Sequence, residues 1–503
     1  MAKKQRSSST FKPLFAFLIL FAAIPILISC NPSEEDNSPI TTGITSSLTS
    51  TAGQSTNKDP NNSNKNESTT SVQTGTSVQT STAQTCSSSD ITTTTMSQTT
   101  TQTTKEPLVP VTPEIDVTEY KTWVVDCNEY IGLRTAPDFS AKSILSIPKG
   151  ERVTLLEFCE RFAYVQYDKK NSKGEITRSY KGYVVAAYIV LPEESSYTLD
   201  LDTVKPVEKY TYDQMLTDLA VMSEKHPSRL TLSSIGKSEE GRDLVLAVMG
   251  NPSAENHIFV QASIHAREHM TTTLVMAQMD YMLTHEDHLY KDTGVTISEI
   301  LDTTCFHIVP MANPDGVNIV QTGILPDEFK GKYSSYEISQ WKANAKGVDL
   351  NANFDGDWEN HGNGSVTAPG PYDYKGSAPE CAAESKALAD YIRANDFDIT
   401  LSYHVTGSVI YYNYGDNDKI NDLNLDLAQR IDAVAGYEPR FQSEASSAGL
   451  KDWAIEKLGI VSLTIEFGSF NPPLMEREFS NLWARGRDTL IISALWQTEH
   501  PER

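Results

Sequence analysis

The stretch His265-Ala-Arg-Glu268-His269 contains side chains that can bind a metal ion, and it directly follows the apolar run Ile258–Ile264. An imidazole nitrogen and a carboxylate oxygen three residues apart, at the end of a strand, can hold one face of a zinc ion. Substrates also reach α/β sheets at the ends of strands, so metal and substrate could meet there. The spacing alone is a weak signal, because a chain with 10 histidines and many glutamates is expected to contain H-x-x-E by chance.

Two further apolar strands carry residues that would complete such a site. Ile399–His404 ends in a histidine, and only the fold could bring it to the distant H-x-x-E stretch. Two nitrogens and one carboxylate that leave a fourth position for water form a catalytic zinc set rather than a closed structural one. Val461–Phe467 contains Glu466, an acid that is costly to bury unless it has a function or a partner. A glutamate beside zinc-bound water can accept its proton and pass it to the leaving amine.

Asp349 is the third element of this hypothesis, because its carboxylate could orient a ligand imidazole from behind. A rival interpretation places His265 and His269 on one helix as zinc ligands, with Glu268 as the base. It conflicts with the strand predicted just before His265, and it leaves the two distant strand residues without a role. We therefore expect His269 to be structural. The remaining histidines are interpreted as surface or packed residues: His226, His257, His285, His288, His307, His361 and His500.

Length and charge limit the class of protein. A chain of 503 residues is too long for one ordinary hydrophobic core, so two or three domains are expected. Lys and Arg number 42 and Asp and Glu number 66, which gives a formal net charge of −24. Because no basic stripe could follow phosphates, nucleic acid is excluded as a partner.

The first residues have the composition of an export signal. Basic residues precede the apolar run Leu14–Ile28, which is short for a membrane-spanning helix of roughly 20 residues. The ending Leu27-Ile-Ser-Cys30 resembles the bacterial lipoprotein box, which implies a signal peptide over residues 1–29 and a lipidated Cys30. We predict an extracytoplasmic protein, anchored by lipid to the bacterial cell membrane and facing the cell wall. The alternative is an uncleaved anchor.

Residues 30–114 are dominated by Ser and Thr between Ser38 and Lys105. Such a segment cannot bury enough surface to offset its ordering entropy, so a disordered linker is predicted. Residues 115–192 instead contain short alternating strands, which are typical of a small barrel. These predicted strands are Thr122–Val125, Arg152–Leu156, Tyr164–Tyr167 and Gly182–Val185.

The segment 115–192 resembles bacterial SH3-type domains in Ile131–Pro137, Ile147–Gly150 and Gly182–Ile189. This resemblance implies the bacterial cell wall as a partner, and the alternative is a barrel that only packs against the rest of the chain. Cys127 and Cys159 lie in this segment, and either a disulfide or two buried thiols fits an exported protein.

Residues 197–503 alternate apolar strands with helical stretches, the pattern of an α/β layered domain. They resemble the zinc metallocarboxypeptidases, the M14 peptidases typified by the digestive carboxypeptidases. The matching motifs follow the family's order: His265-Ala-Arg-Glu268, Asn313-Pro-Asp-Gly316, Trp341-Lys-Ala-Asn344, Gly347-Val-Asp-Leu-Asn351, Tyr374-Lys-Gly376, His404 and Thr464-Ile-Glu466. The resemblance implies a mixed sheet sandwiched between helices, and one zinc ion held by His265, Glu268 and His404. It also implies Glu466 as general base and then acid, and Arg267 as the group that polarises the scissile carbonyl and stabilises its oxyanion.

The chain departs from the family where true carboxypeptidases grip a free C-terminal carboxylate. Asn351 is followed by Ala352 instead of an arginine. A second family arginine corresponds to Lys342, which lacks the two-pronged geometry of a guanidinium. Lys451 occupies the position that sets side-chain preference, where a lysine favours a negatively charged substrate group. Glu444 stands where the family has a substrate-capping tyrosine.

These features resemble the M14 branch that cleaves γ-D-glutamyl-diaminopimelate bonds, which implies peptidoglycan stem peptides as the substrate. A γ-linked D-glutamate keeps a free α-carboxylate, and diaminopimelate carries an extra carboxylate. A wall-binding domain and a lipid anchor would be consistent with this substrate, although only by association. The alternatives are a metallocarboxypeptidase that removes acidic C-terminal residues and a catalytically dead wall-binding lipoprotein.

Overall fold

The computed structural model describes residues 121–192, 199–207, 209–360, 365–442 and 449–501. The segments predicted as signal peptide and linker, with Cys30, lie outside the described residues, and so does Glu444. In the described ranges, no helix combines the length and the hydrophobicity needed to cross a membrane.

Residues 122–190 form a seven-stranded antiparallel sheet. Its strands are β1 (Thr122–Val125), β2 (Tyr130–Arg134), β3 (Ser143–Pro148), β4 (Arg152–Cys159), β5 (Phe162–Lys170), β6 (Ile176–Val185) and β7 (Ile189–Val190). They lie side by side in the order β3-β2-β6-β5-β4-β1-β7. Each of the four strands predicted here falls within a strand of the structure. The SH3-type identity of this small sheet stays a prediction.

The small sheet has a hydrophobic core of its own. Alternation along the strands places Trp123, Leu133, Val153 and Val165 on the buried face. Cys127 is a buried thiol that forms no disulfide, but Cys159 is only partly buried, so the alternative of two buried thiols holds for Cys127 alone. A separate core of this kind is expected of a domain.

A second, mixed sheet forms the centre of the larger part of the chain. Its strands are β8 (Leu230–Lys237), β9 (Asp243–Gly250), β10 (Asn256–Ala262), β11 (Thr304–Val309), β12 (Ile399–Val405), β13 (Val409–Tyr411), β14 (Glu438–Arg440) and β15 (Val461–Phe467). Their order is β14-β13-β15-β12-β10-β11-β9-β8. The central strands β15, β12, β10 and β11 are parallel, so their carboxyl ends share one edge of the sheet.

Helices cover both faces of the mixed sheet. In the described residues they are α1 (Tyr212–Lys225), α2 (Met270–Thr284), α3 (Ile297–Thr303), α4 (Pro314–Thr322), α5 (Ser335–Ser339), α6 (Ala383–Ala394), α7 (Asp418–Ala435), α8 (Leu450–Trp453), α9 (Phe479–Gly486) and α10 (Thr489–Glu499). Residues of α2, α7 and α10 pack in one core with Ile258 and Val260, and residues of α6 pack in another with Phe259. Successive β10 residues therefore face opposite layers, and the predicted mixed sheet between helices is confirmed.

The sequence predicts one of the helical stretches over Ser480–Gln497, and as a single element this prediction is wrong. It is divided into α9 and α10 at Arg487 and Asp488. The buried Asp488 carboxylate pairs with Arg487 at 2.7 Å and with Lys291, from a distant loop, at 2.9 Å. Because the Lys291 contact is tertiary, the local apolar periodicity could not reveal the break.

Arg485 of α9 joins the small sheet to the C-terminal end of α7. Its guanidinium donates to Glu160 O at 2.7 Å, to Ala435 O at 2.6 Å and to Gly436 O at 2.5 Å. Gly436 has φ 61°, and a Cβ atom there would lie 2.7 Å from Phe158 O, so the approach of the two chain segments requires glycine. Arg485 itself is only 1% exposed.

The small sheet also contacts the segment that follows β15. Arg161 donates to Ser469 O at 2.7 Å, and the rings of Tyr188 and Phe470 meet edge to face at 4.9 Å. Asn481 donates to Ala186 O at 3.0 Å. The small sheet is therefore held against the chain only a few residues beyond Glu466.

Replacing Glu160 with glutamine should remove a pH-dependent loss of stability where the small sheet contacts Glu438 of β14. A hydrogen bond with the Glu438 side chain, burial and the Glu438 charge raise the pKa of Glu160 to about 7, against the opposing charges of Arg440 and Arg485. A raised folded-state pKa favours the protonated form, so unfolding free energy should fall as pH rises from about 4.5 through about 7. Glu160→Gln should therefore stabilise the protein at pH 8 and change little at pH 5.

Chemical denaturation at both pH values measures this effect. Glu157→Gln, an exposed glutamate in β4, is the matched control. An equal gain in stability for both variants at pH 8 would contradict the assignment to the Glu160–Glu438 contact.

Candidate metal centre and active site

Three parallel strands bring the predicted site residues to one edge of the mixed sheet. Ala262 at the end of β10 is paired with Tyr403 of β12, and His404 of β12 is paired with Glu466 of β15. His265 follows β10 within three residues of Ala262. The carboxyl ends of parallel strands thus place these side chains together, as the sequence predicted.

His265, Glu268 and His404 converge on one point. Glu268 Oε1 lies 2.8 Å from His265 Nδ1, and Glu268 Oε2 lies 3.0 Å from His404 Nδ1. The two Nδ1 atoms are 3.2 Å apart. All three side chains are buried. Atoms bound to one tetrahedral zinc at roughly 2.1 Å lie about 3.4 Å from each other, so the three donors are spaced to share one ion.

The donor chemistry also fits a cation. At least one of two imidazole nitrogens facing each other at 3.2 Å must bear a proton unless both coordinate the same ion. His404 Nε2 is buried without a hydrogen-bond partner among the described residues. His269 lies outside this group at the start of α2, and burial followed by the charge of Lys209 lowers its pKa to about 4. This placement does not support the rival set that uses His269.

A hydrogen-bonded turn holds His265 and Glu268 in position. Ser263 has φ 53°, a left-handed conformation that is strained for a residue with a side chain, and such strain concentrates at functional sites. The Ser263 backbone N–H donates to Thr271 Oγ1, and Thr271 Oγ1 donates to Glu268 O. Glu268 Oε2 also accepts from the backbone N–H of Val405, which links the carboxylate to β12.

Asp349 lies behind His265, as expected from the sequence. Its Oδ1 is 3.3 Å from His265 Nε2, on the side of the ring away from the other ligands. The carboxylate is itself oriented by the backbone N–H groups of Asn351 and Asp373. Burial raises the pKa of Asp349, but the charge and hydrogen bond of His265 lower it. The net shift is downward, so Asp349 stays ionised. Asp349 thereby favours the tautomer of His265 that leaves Nδ1 for a metal.

Replacing Asp349 with asparagine should weaken metal affinity by about 10- to 100-fold, because the ligand imidazole loses its charged support. Chelator competition would measure the dissociation constant of zinc. Asp355→Asn, at an exposed position nearby in sequence, should leave it unchanged. Unaltered zinc affinity in Asp349→Asn would show that the contact is merely structural.

Glu466 is the partly exposed residue of an otherwise buried strand. Burial and the neighbouring Glu268 carboxylate raise its pKa to about 8, while Lys342 and Arg267 act in the opposite direction. A carboxyl group with a pKa near neutrality can both accept and release a proton at physiological pH. A cation held by the three ligands would lower this pKa and favour the carboxylate form.

Arg267 is placed beside the same site and retains free donors. Its Nη1 donates to Gln340 Oε1 at 3.2 Å, while its buried Nε has no described partner. Gln340 in turn donates to Pro472 O at 3.2 Å, which ties Arg267 to the segment after β15. Gln340 is a site residue that the sequence analysis missed, because a glutamine ahead of the Trp341 motif has no distinguishing pattern.

The three predicted substrate-binding residues have different environments. Lys342 is partly exposed, and its charge reaches Glu466 and His265. Asn351 accepts a hydrogen bond from Leu450 N at 3.2 Å.

Lys451 is only 2% exposed. Its ammonium group pairs with the Asp452 carboxylate and donates to Asn413 O at 2.7 Å. The ammonium group has three N–H donors, and among the described residues these two contacts use two of them.

Known proteins resemble this chain in sequence and structure. A family model described as zinc carboxypeptidase, Peptidase M14, matches residues 215–487. The gamma-D-glutamyl-L-diamino acid endopeptidase 1 of Lysinibacillus sphaericus is 34% identical over 283 residues, covering 55% of this chain and 70% of that protein. Mast cell carboxypeptidase A of Homo sapiens is 26% identical over 219 residues, covering 41% of this chain and 48% of that protein. The crystal structure of thrombin activatable fibrinolysis inhibitor aligns with a TM-score of 0.46 and 21% identity, over 60% of this chain and 79% of that one.

The family match covers more than half of the chain, and it includes the three buried ligands and Glu466. The M14 family is zinc-dependent, which agrees with the donor set at the strand ends. This chain belongs to the M14 zinc carboxypeptidase family and is a zinc metallopeptidase.

Proposed function

We propose that this metallopeptidase hydrolyses γ-D-glutamyl-diaminopimelate-type amide bonds in peptidoglycan stem peptides. The convergence of His265, Glu268 and His404 beside Glu466 supports the reaction class. The substrate class is supported by the endopeptidase of Lysinibacillus sphaericus, whose name specifies a γ-D-glutamyl-L-diamino acid bond. Lysines at positions 342 and 451 fit the acidic groups of such a peptide.

The proposed chemistry assigns a separate task to each group at the site. His265, Glu268 and His404 would hold zinc, which supplies a Lewis acid that polarises the amide carbonyl and acidifies water. Glu466 takes the proton of the attacking water and then delivers it to the nitrogen of the leaving amine. Arg267 would direct its Nε–H, which has no partner among the described residues, at the carbonyl oxygen, where negative charge develops. Asp349 keeps His265 in the required orientation.

Carboxylate recognition is assigned to Lys342 in this proposal. Its ammonium has no described carboxylate partner, and its charge already acts on Glu466. A single ammonium can pair with the free α-carboxylate of a γ-linked D-glutamate without the planar geometry that an arginine imposes. The buried Lys451 would offer its remaining N–H to a second carboxylate, supported by Asp452.

Attachment to the cell envelope is a further part of the proposal. A lipid on Cys30 and the linker of residues 30–114 would let the enzyme act outside the cytoplasm, close to the wall. The small sheet would bind the wall in the manner of SH3-type domains. Binding to purified peptidoglycan tests this wall-binding role. The full chain should be retained, and a folded protein that lacks residues 121–190 should not be.

Defined substrates test the activity. Purified protein saturated with zinc is incubated with a wall tripeptide of L-Ala, γ-linked D-Glu and diaminopimelate, and the products are identified by mass. We expect L-Ala-D-Glu and free diaminopimelate. Release of only C-terminal Asp or Glu from ordinary acid-ended peptides would instead support the metallocarboxypeptidase. A protein that binds the wall but neither zinc nor a substrate would support the dead lipoprotein.

Replacing Lys342 with methionine should lower kcat/KM on the wall tripeptide by about 10- to 100-fold, because a charge-assisted contact with the substrate is lost. The effect should fall on KM more than on kcat if the contact persists through the reaction. Lys346→Met, an exposed lysine 3.6 Å from Glu328, is the matched control. Equal kinetics for wild type and Lys342→Met would remove Lys342 from substrate recognition.

A further inference from the structure

A second group of metal-binding side chains lies at the opposite end of β10 from the catalytic residues. It comprises His257 near the start of β10, and Cys305 and His307 in the neighbouring β11. Their donor atoms lie within 4.8 Å of one another. His257 precedes the last residue of β10 by five positions, or roughly 17 Å of extended strand, so the group is separate from the catalytic site.

Parallel pairing of β10 and β11 fixes the three side chains on one face of the sheet. His257 is paired with Cys305, and Phe259 is paired with His307. Paired residues of neighbouring strands project from the same face, as do residues two apart in one strand. The arrangement is thus built into two paired strands, and no loop has to close to form it.

The distances between donor atoms are close to those of a metal site. His307 Nε2 lies 3.1 Å from His257 Nδ1 and 3.3 Å from the Cys305 sulfur. Donors bound to one zinc at about 2.1 Å for nitrogen and about 2.3 Å for sulfur lie about 3.4 to 3.6 Å apart. Two of the three donor distances are therefore within a few tenths of an ångström of those of a zinc site, and the third is within 4.8 Å.

Hydrogen bonds behind the two rings orient their inner nitrogens. His257 Nε2 is 3.0 Å from Ala254 O, which can only accept, so Nε2 carries the proton and Nδ1 presents a lone pair to His307. His307 Nδ1 is 2.7 Å from the Tyr391 hydroxyl, which can either donate or accept. When Tyr391 accepts, His307 Nε2 also presents a lone pair, and both lone pairs face the same point. Support of this kind behind each ligand is characteristic of metal-binding histidines.

The surroundings favour a thiophilic ion. Cys305 is fully buried, and the aromatic ring of Phe397 packs against His307 at 5.0 Å. His257 is partly exposed, which provides access for an ion and a position for one water ligand. One thiolate and two imidazoles are ligands for zinc, cobalt or cuprous copper, and they are unsuited to magnesium or calcium.

We propose that His257, Cys305 and His307 form a second zinc site, which ties β10 to β11 at the edge of the sheet remote from catalysis. The sequence gives no sign of it, because His257 is far from Cys305 along the chain and the three residues match no zinc-binding motif. A structural ion here stabilises the folded chain and takes no part in hydrolysis.

Metal content and cobalt absorption test the proposal. The purified full chain, with its thiols reduced, is saturated with zinc, passed through a desalting column and analysed for bound metal. We expect two ions per chain for wild type and one for Cys305→Ser, with unchanged peptidase activity. Replacement by Co²⁺ should give a thiolate-to-cobalt charge-transfer band, because the catalytic ligands contain no sulfur. That band should be absent in Cys305→Ser.

Cys381→Ser is the matched control, since Cys381 is an exposed thiol outside both groups. It should keep both ions and the cobalt band. If Cys305→Ser does not fold, His257→Leu at the partly exposed position serves in its place. One ion per chain with no sulfur band, or a band that survives Cys305→Ser, would show that His257 and His307 share only a hydrogen bond.

Discussion

Replacing Glu466 with glutamine is expected to lower kcat by about 100- to 10,000-fold, because the amide cannot accept the proton of the attacking water. The substitution keeps the size and polarity of the side chain. Glu466 is not among the three converging ligands, so the catalytic zinc should remain bound. Turnover of the wall tripeptide and metal analysis of the same preparation measure both quantities.

Glu456→Gln provides the matched control for this prediction, because Glu456 is exposed and follows α8 rather than a strand at the site. It should leave turnover unchanged. Two results would count against the assignment of Glu466 as base. One is near-normal turnover in Glu466→Gln, and the other is loss of zinc together with loss of activity.

Replacing Arg485 with methionine is expected to destabilise the protein by about 3 kcal/mol or more, because buried carbonyl groups lose their donors. The affected acceptors are Glu160 O, in the turn between β4 and β5, and Ala435 O and Gly436 O, at the C-terminal end of α7. The guanidinium also lies 4.1 Å from the ring centroid of Tyr437, and this contact would be lost. The melting temperature should fall by roughly 5 to 10 °C.

Thermal unfolding followed by circular dichroism measures this change. Arg178→Met is the matched control, because Arg178 is an exposed arginine that also contacts an aromatic ring, Tyr180 at 5.0 Å. Its melting temperature should match that of wild type. If Arg485→Met melts like the control, the Arg485 contacts between the small sheet and α7 contribute little to stability.

Much of the catalytic site could be predicted from residue types and strand ends. His265, His404 and Glu466 each lie at or beside the end of an apolar run, and those runs are β10, β12 and β15. Parallel strands in an α/β sheet present their carboxyl ends at one edge, so residues far apart in the chain meet there. The family resemblance then gave these positions their zinc chemistry, and the family is confirmed.

The surroundings of individual side chains could not be predicted in the same way. Lys451 could have been a solvated surface charge, yet it is buried against Asp452. The division between α9 and α10 depends on an ion pair with a distant lysine. Both outcomes are set by which residues become neighbours after the chain has folded.

The amino-acid sequence by itself determined the family, the α/β class and the residues that meet at the strand ends, because strand-end position and short motifs are local properties of the chain. Only the tertiary structure decided how Asp349 supports His265, how Arg485 joins the small sheet to α7, and that His257 lies opposite Cys305. These contacts depend on the register and packing of segments far apart in the chain, which no local periodicity encodes.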